Sequence, residues 1–288
     1  MRFENSFLKK LEHLRIVSTR AFAGRDRADR LARKRGVGLE FADYRQYAPG
    51  DDVRHIDWKA YKRLNRLLLR LFDEEQDLPI YLFIDASRSM RQGRKFDQAR
   101  RIAAALCYIG LVHFDHVSIL PFGARLGPDT VPGRGRGRIF SVFDRLAKLE
   151  ATGETDLKQS FRQFASRSHR RGVAVVISDF LDAEGCEPGL KVLTGAGHDV
   201  LVVHVVSTAE GELDELGHVR FVDAESGTHR DIELTAGLAK AYREAWHSHA
   251  AEIREFCGRY RLSYIRATAE EPFEDIILQT FRQGGFLA

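Results

Sequence analysis

The sequence predicts an α/β fold: a mostly parallel central sheet flanked by helices, with a β-containing extension at its amino end. Three observations carry this. Residues 80–84, directly after Pro79, and residues 173–177 are short unbroken apolar runs, and 199–206 is a third largely apolar run. Such runs suit strands buried on both faces of a parallel sheet. Helical patterns lie between them, the clearest being Phe96, Ala99, Ile102, Ala103, Leu106 and Gly110. Alternating strands and helices give a sheet covered on both faces. Lastly, the run at 80–84 stops at Asp85 and gives way to small hydroxyl side chains. That puts a polar cluster at the carboxyl end of a central strand, the edge where open α/β sheets bind ligands.

Taken in order, residues 6–22 place Phe7, Leu8, Leu11, Leu14 and Val17 on one helical face and Lys9, Lys10, Arg15 and Arg20 on the other. Docking onto the chain's own domain is expected here, ahead of a membrane surface. A basic connector follows at 24–36. Residues 41–47 alternate enough for a short strand, and Pro49-Gly50 is a turn. Asp51, Asp52, Arg54, Asp57 and Trp58 make a dense polar passage. Its expected role is structural: Arg–Asp clamps pinning an irregular segment against the main domain. Residues 67–72 read as a strand and 73–77 as an acidic turn, together a hairpin-like extension on one edge of the sheet. Next come a helix at 95–113, a strand at 117–122 with an antiparallel return at 124–131, and a flexible basic loop at 133–138. Helices at 139–149 and 156–167 precede strands at 173–178 and 199–206. A β-hairpin at 219–234 turns around 225–228. The chain closes with a long helix at 238–259, a strand at 262–267 and a helix at 273–283. A boundary at 78/79 separates residues 1–78, the basic helix and extension, from 79–288.

Composition bounds the function. The 288 residues hold one sizeable α/β domain plus an appendage, and 44% hydrophobic content is ample for a core. No apolar run is long enough for a bilayer, no signal peptide opens the chain, and the cytoplasm is the expected compartment. Cys107, Cys186 and Cys257 have neither metal nor redox spacing; Cys107 falls in a helix pattern as a small buried hydrophobe. Net charge is +4, but residues 1–72 carry 18 Lys and Arg against 9 Asp and Glu, while the remainder carries 27 against 32. The basic segment faces a polyanion, or simply solvent and the chain's own acidic part. Among the 11 histidines, His247 and His249 are two apart on a helix and point different ways.

Asp85, Ser87 and Ser89 lie two apart, with Gly93 closing the loop. An acid and two hydroxyls are a poor catalytic set without an adjacent base, but a good set of hard oxygen ligands. Mg²⁺ wants about six oxygens in octahedral array. Further donors should therefore come from other loops on the same edge. Thr155, in Gly-Glu-Thr-Asp-Leu, and Asp179, ending the run at 173–177, are the candidates. The alternative for Asp85 and Asp179 is strand-end capping of the next helix.

Asp-x-Ser-x-Ser, then a Thr, then an Asp ending a later strand resembles the metal-ion-dependent adhesion site of von Willebrand factor A domains, whose sheet is Rossmann-like. All five positions are filled here, by Asp85, Ser87, Ser89, Thr155 and Asp179. The passage Glu40, Phe41, Arg45, Tyr47, Pro49, Gly50, Asp51, Asp52, Arg54, Ile56, Asp57 and Trp58 closely resembles the signature of a bacterial family, domain of unknown function 58. The resemblance covers roughly residues 36 to 288. It implies that Ser87 and Ser89 bind a divalent cation directly, Thr155 in one state, and Asp85 and Asp179 directly or through water. Mg²⁺ is the expected ion, with Mn²⁺ or Ca²⁺ as alternatives. A partner's acidic residue would fill an open position, a binding rather than a turnover mechanism. The resemblance also implies a MoxR-type AAA+ ATPase as partner, in assembling or maturing protein complexes.

Two rival functions remain. A metal-dependent phosphatase-like hydrolase would use Asp85 as nucleophile, but that chemistry wants a second acid where Ser87 stands. Neither Ser87 nor Ser89 sits in Gly-x-Ser-x-Gly, and no Walker A sequence is present. A nucleic-acid-binding module would use the basic first segment or the loop at 133–138, which has no interleaved aromatics to stack bases; nucleic acid is not the expected partner.

Overall fold

A computed structural model describes residues 5–14, 16, 35–48, 51, 53, 56–73, 78–129, 133–167, 169–212, 216–280 and 287. In chain order its elements are α1 (Asn5–Leu11), β1 (Arg35–Gln46), α2 (Trp58–Leu64), β2 (Leu68–Asp73), β3 (Pro79–Asp85), α3 (Lys95–Val112), β4 (His116–Phe122), α4 (Ile139–Lys148), α5 (Leu157–Ala165), β5 (Val173–Ser178), α6 (Glu187–Gly195), β6 (Asp199–Val206), β7 (Gly217–Val222), β8 (His229–Leu234), α7 (Ala236–Tyr260), β9 (Ser263–Thr268) and α8 (Phe273–Asp275), which runs into a π turn at Ile276–Thr280. The chain divides into two compact units, residues 19–77 and residues 1–18 with 78–288.

The larger unit is built on five strands in the order β4-β3-β5-β6-β9, every neighbouring pair parallel. The expected mixed α/β architecture is present. β3, β5 and β6 are buried along their whole length, which is why they read as continuous apolar runs rather than alternating ones. Side-chain alternation sends Ile80, Leu82 and Ile84 to one face, packed with α3 and α4. Tyr81 and Phe83 go to the other, packed with Leu157, Phe161, Phe164, Leu190 and Phe256 from α5, α6 and α7. Each fully buried Val, Leu, Ile or Phe contributes about 1.5–3 kcal/mol relative to exposure.

Phe7, Leu11 and Leu14 of the amino-terminal segment are buried in the first of these cores. Phe7 meets Phe273 edge-on at 5.0 Å, and the Tyr108 hydroxyl donates to Glu12 at 2.9 Å. The compact units thus group the amino-terminal segment with 78–288 and not with 19–77, and the buried Phe7, Leu11 and Leu14 account for it.

Within residues 19–77, β1 and β2 form their own antiparallel pair, a sheet separate from the five-stranded one. The clamp reading is corrected in part here. Arg45 Nη2 does reach Asp51 Oδ1 at 2.7 Å. Asp57, however, is the N-cap of a helix, accepting from the amides of Lys59 at 2.9 Å and Ala60 at 3.1 Å, with the Tyr44 hydroxyl on its other oxygen at 2.8 Å. Capping converts the expected irregular segment into α2. Pro49, Gly50, Asp52, Arg54 and the turn at 74–77 lie outside the described residues, as does most of the connector at 24–36.

Elsewhere three expectations change. In the return expected at 124–131 the described residues, 124–129, make one isolated bridge, Phe122 to Leu126, and no strand; 130 and 131 lie outside the described residues. Helix α6 was not anticipated. The helix expected at 273–283 is α8 followed by a π turn over 273–280, with 281–283 outside the described residues. No helix among the described residues is long and apolar enough to cross a membrane.

Candidate functional site

The site grows from the carboxyl ends of β3 and β5. Ile84 and Ile177 are paired in register, so Asp85 and Ser178 come next side by side. The Ser178 hydroxyl donates to Asp85 Oδ2 at 2.5 Å. Asp85 Oδ1 accepts the Ser87 amide at 2.9 Å, a local turn that folds the chain back over the strand end. The turn brings the Ser87 and Ser89 hydroxyls to 3.0 Å from each other. Asp85, Ser87, Ser89 and Asp179 are all buried.

A 3₁₀ turn at Ser89–Arg94 then leads into α3. Gly93 takes φ 55° there, and a Cβ on it would lie 2.1 Å from Ser207 Oγ. Both the backbone and the close approach demand glycine.

Thr155 comes from the loop before α5. The Thr152 amide donates to the Ala86 carbonyl at 2.6 Å, and the Arg88 amide to the Gly153 carbonyl at 2.9 Å. These bonds lace the Thr155 loop to the Asp85 loop. Asp156 caps α5 through the Gln159 amide at 2.7 Å, so capping does not fall to Thr155. The Thr155 Oγ1 is buried and has no hydrogen-bond partner. Burying a hydroxyl unpaired costs about 1–3 kcal/mol, so such an atom calls for an explanation.

Neither strand-end acid caps a helix. Asp179 Oδ1 accepts the Leu181 amide at 3.1 Å, and its Oδ2 takes the Lys95 ammonium at 2.6 Å. Lys95 is fully buried and also contacts Glu210 Oε1 at 2.5 Å. The five predicted residues thus share one edge of the sheet, joined by short bonds between three loops.

Two residues that sequence reasoning missed stand beside them. Lys95 opens α3, where a cation opposes the helix dipole; that mismatch was the available signal, and two carboxylates explain it. Glu225 lies at the tip of the β7–β8 hairpin. Its Oε2 accepts the Thr155 amide at 3.0 Å, and its main-chain carbonyl accepts from Arg88 Nη1 at 3.0 Å. Its Oε1 is buried with no hydrogen-bond partner. The hairpin follows β6 and so emerges at the same sheet edge, the one clue the order of elements held.

Burial dominates the electrostatics. It pushes the Asp85 carboxyl up to about 7, with the Asp179 charge adding to the effect and the Ser178 and Ser87 hydrogen bonds opposing it. Burial likewise raises Glu225, against the Thr155 amide; the Asp179 charge raises it further and the Ser87 and Ser89 hydroxyls lower it. Those hydroxyls are close enough to be felt, yet none reaches Oε1 in hydrogen-bonding geometry. For Lys95 burial alone would lower the pKa, but Asp179 and Glu210 more than offset it and the group stays charged. His204, beneath the site, is pushed down to about 3 by burial and by His249.

The donor set is all oxygen: the hydroxyls of Ser87, Ser89 and Thr155 and the carboxylates of Asp85, Asp179 and Glu225. Such a set fits a hard cation such as Mg²⁺, Mn²⁺ or Ca²⁺. Among the described residues no group of three His, Cys, Asp or Glu side chains is placed to hold a metal, so the hydroxyls have to belong to any ligand set. The two unpaired buried oxygens, Thr155 Oγ1 and Glu225 Oε1, are what such an ion would satisfy.

Comparison with known proteins places the chain among relatives. An uncharacterized protein of Mycobacterium tuberculosis is 30% identical over 234 residues, 78% of this chain and 73% of the relative; one from Mycobacterium bovis matches to the same extent. Among solved structures, a conserved hypothetical protein, BatB, from Bacteroides thetaiotaomicron aligns with TM-score 0.44 and 14% identity, over 72% of this chain and 98% of that one. Manganese-loaded TRAP from Plasmodium vivax aligns with TM-score 0.35 and 11% identity, over 63% and 73%. Residues 43–255 match the family described as protein of unknown function DUF58, and the chain belongs to that family.

Proposed function

We propose that this chain is a protein-interaction module, not an enzyme, whose oxygen cluster binds a divalent cation, Mg²⁺ in the first instance, and through it an acidic residue of a partner protein. Ser87, Ser89 and Thr155 would hold the ion, with Asp85 and Asp179 bonding directly or through water. The ion, when bound, supplies an electrophilic position for an outside carboxylate. The observation that carries this reading is the buried, unpartnered Thr155 Oγ1, laced by backbone bonds to the loop of Ser87 and Ser89. The protein's own residues supply a rigid strand end, a turn that aims two hydroxyls, and a Lys95 cation that limits the negative charge around Asp179.

We further propose that the acidic partner belongs to a MoxR-type AAA+ ATPase acting in the assembly or maturation of protein complexes. The likeness of the sequence signature and the strand-end motif to the family supports this. The hydrolase alternative has less support, because Asp85 is fully buried and both its oxygens already accept hydrogen bonds. Co-purification of the chain with a tagged MoxR-type ATPase tests the proposal. Recovery in Mg²⁺ that is lost in EDTA and in Asp85→Ala is expected; equal recovery in all three contradicts it.

A further inference from the structure

The acid that an outside partner would bring is already present in the chain itself. Glu225 sits in a turn locked by Asp223, whose Oδ1 accepts the amides of Glu225 at 3.0 Å and Ser226 at 2.6 Å. The turn is tied to the site loops at two points, Arg88 Nη1 on the Glu225 carbonyl and the Thr155 amide on Oε2. Residues 70 and 137 positions apart in the chain are joined by these bonds. The remaining oxygen, Oε1, is buried and unpartnered, as is Thr155 Oγ1. Ser87 is 0% exposed and Ser89 4%, so both hydroxyls are closed to an outside carboxylate in this conformation.

We propose that Glu225 is an internal ligand of the cation site, and that a partner's acidic residue binds by displacing it and lifting the β7–β8 hairpin. This rests on the cation-site reading above. A carboxylate adjacent to a hard cation and to a neutral hydroxyl set is the ligand such an ion prefers. Displacement costs the partner the Glu225 contacts, which makes the free chain closed and partner binding a population shift between two ligand states. The residues of β7 and β8 are mostly exposed, Leu234 being the buried exception. The hairpin can therefore move without opening the core.

Mn²⁺ alone, bound to the metal-stripped full chain and read by water-proton relaxation, tests this. Glu225→Ala should gain one exchangeable water on the ion and bind Mn²⁺ about tenfold more weakly, the usual scale for losing a supporting ligand. Acetate should then displace that water at a concentration about tenfold or more below that needed with the wild-type chain, in line with removal of a competing internal carboxylate. Glu225→Gln, which keeps an acceptor for the Thr155 amide and so preserves the turn, should also bind Mn²⁺ more weakly. Equal Mn²⁺ affinity and water count in the wild type and both variants, with Mn²⁺ lost only on Ser87→Ala/Ser89→Ala, would overturn the internal ligand and leave the cation site standing. A change in Glu225→Ala alone, with Glu225→Gln like wild type, would overturn it too, assigning the effect to the hairpin. No Mn²⁺ binding by the wild type would remove both readings.

Discussion

Two regions of this chain are crowded with acids and hydrogen-bonding groups, and they differ in what is left over. Around Asp57 both carboxylate oxygens serve the fold, capping α2 and holding the Tyr44 hydroxyl. Asp51 likewise divides its oxygens between Arg45 and the Ala48 amide. Around Asp85 the acids are also bonded, but Thr155 Oγ1 and Glu225 Oε1 remain buried and unpaired. Among the described residues the first region is a structural knot, with both oxygens of Asp51 and of Asp57 bonded. The second leaves two buried oxygens without a partner, which under the proposed reading a cation would satisfy.

Five perturbations sharpen this contrast. The largest effect is expected at Lys95. Lys95→Met leaves buried Asp179 and half-buried Glu210 without their cation, a change that costs about 3–5 kcal/mol, measured by urea unfolding; a loss below about 1 kcal/mol would show that the pair is dispensable. Next is the ion itself. Free Mg²⁺ at a hundred times its dissociation constant should stabilise the wild type by about 2.7 kcal/mol and Ser87→Ala/Ser89→Ala not at all.

That stabilisation carries a pH dependence with a defined sign. In the metal-free chain Asp85 titrates near 7, above its ordinary value of 3.8, so the folded state holds its proton better than the unfolded one. The contribution is complete below about pH 4 and is lost as pH rises through about 7. A cation needs the carboxylate, so the melting-temperature gain from Mg²⁺ should be larger at pH 8 than at pH 6. Equal gains at both would remove Asp85 from the ligand set.

Smaller effects belong to the structural region. Asp57→Ala removes the cap of α2 and should cost about 1–2 kcal/mol, with Mg²⁺ binding by titration calorimetry unchanged. Asp51→Asn, at an exposed pair, should shift the unfolding midpoint least of all, and leave the ion bound as before.

Much of this was legible in the sequence. Whole-length burial makes β3, β5 and β6 read as unbroken apolar runs, and strand ends at Asp85 and Asp179 follow directly. Thr155 was singled out as a hydroxyl just ahead of a helical pattern, and it lies in the loop between α4 and α5. Helix α2 was missed since only Ala60 of it is buried while Trp58, Tyr61 and Leu64 stay exposed; the capping Asp57 was its signal. Helix α6 announced itself only through Pro188 at its first turn. Lys95 and Glu225 could not be assigned from spacing, because their partners lie 84 and 70 positions away and depend on how the loops close over the sheet edge.

Titration calorimetry of the metal-stripped chain with Mg²⁺ bears most directly on the oxygen cluster. One ion should bind per chain, with the heat abolished by Ser87→Ala/Ser89→Ala and reduced by Thr155→Ala. Absence of binding by the folded wild type, or binding that these variants leave untouched, would contradict a cation site at the ends of β3 and β5.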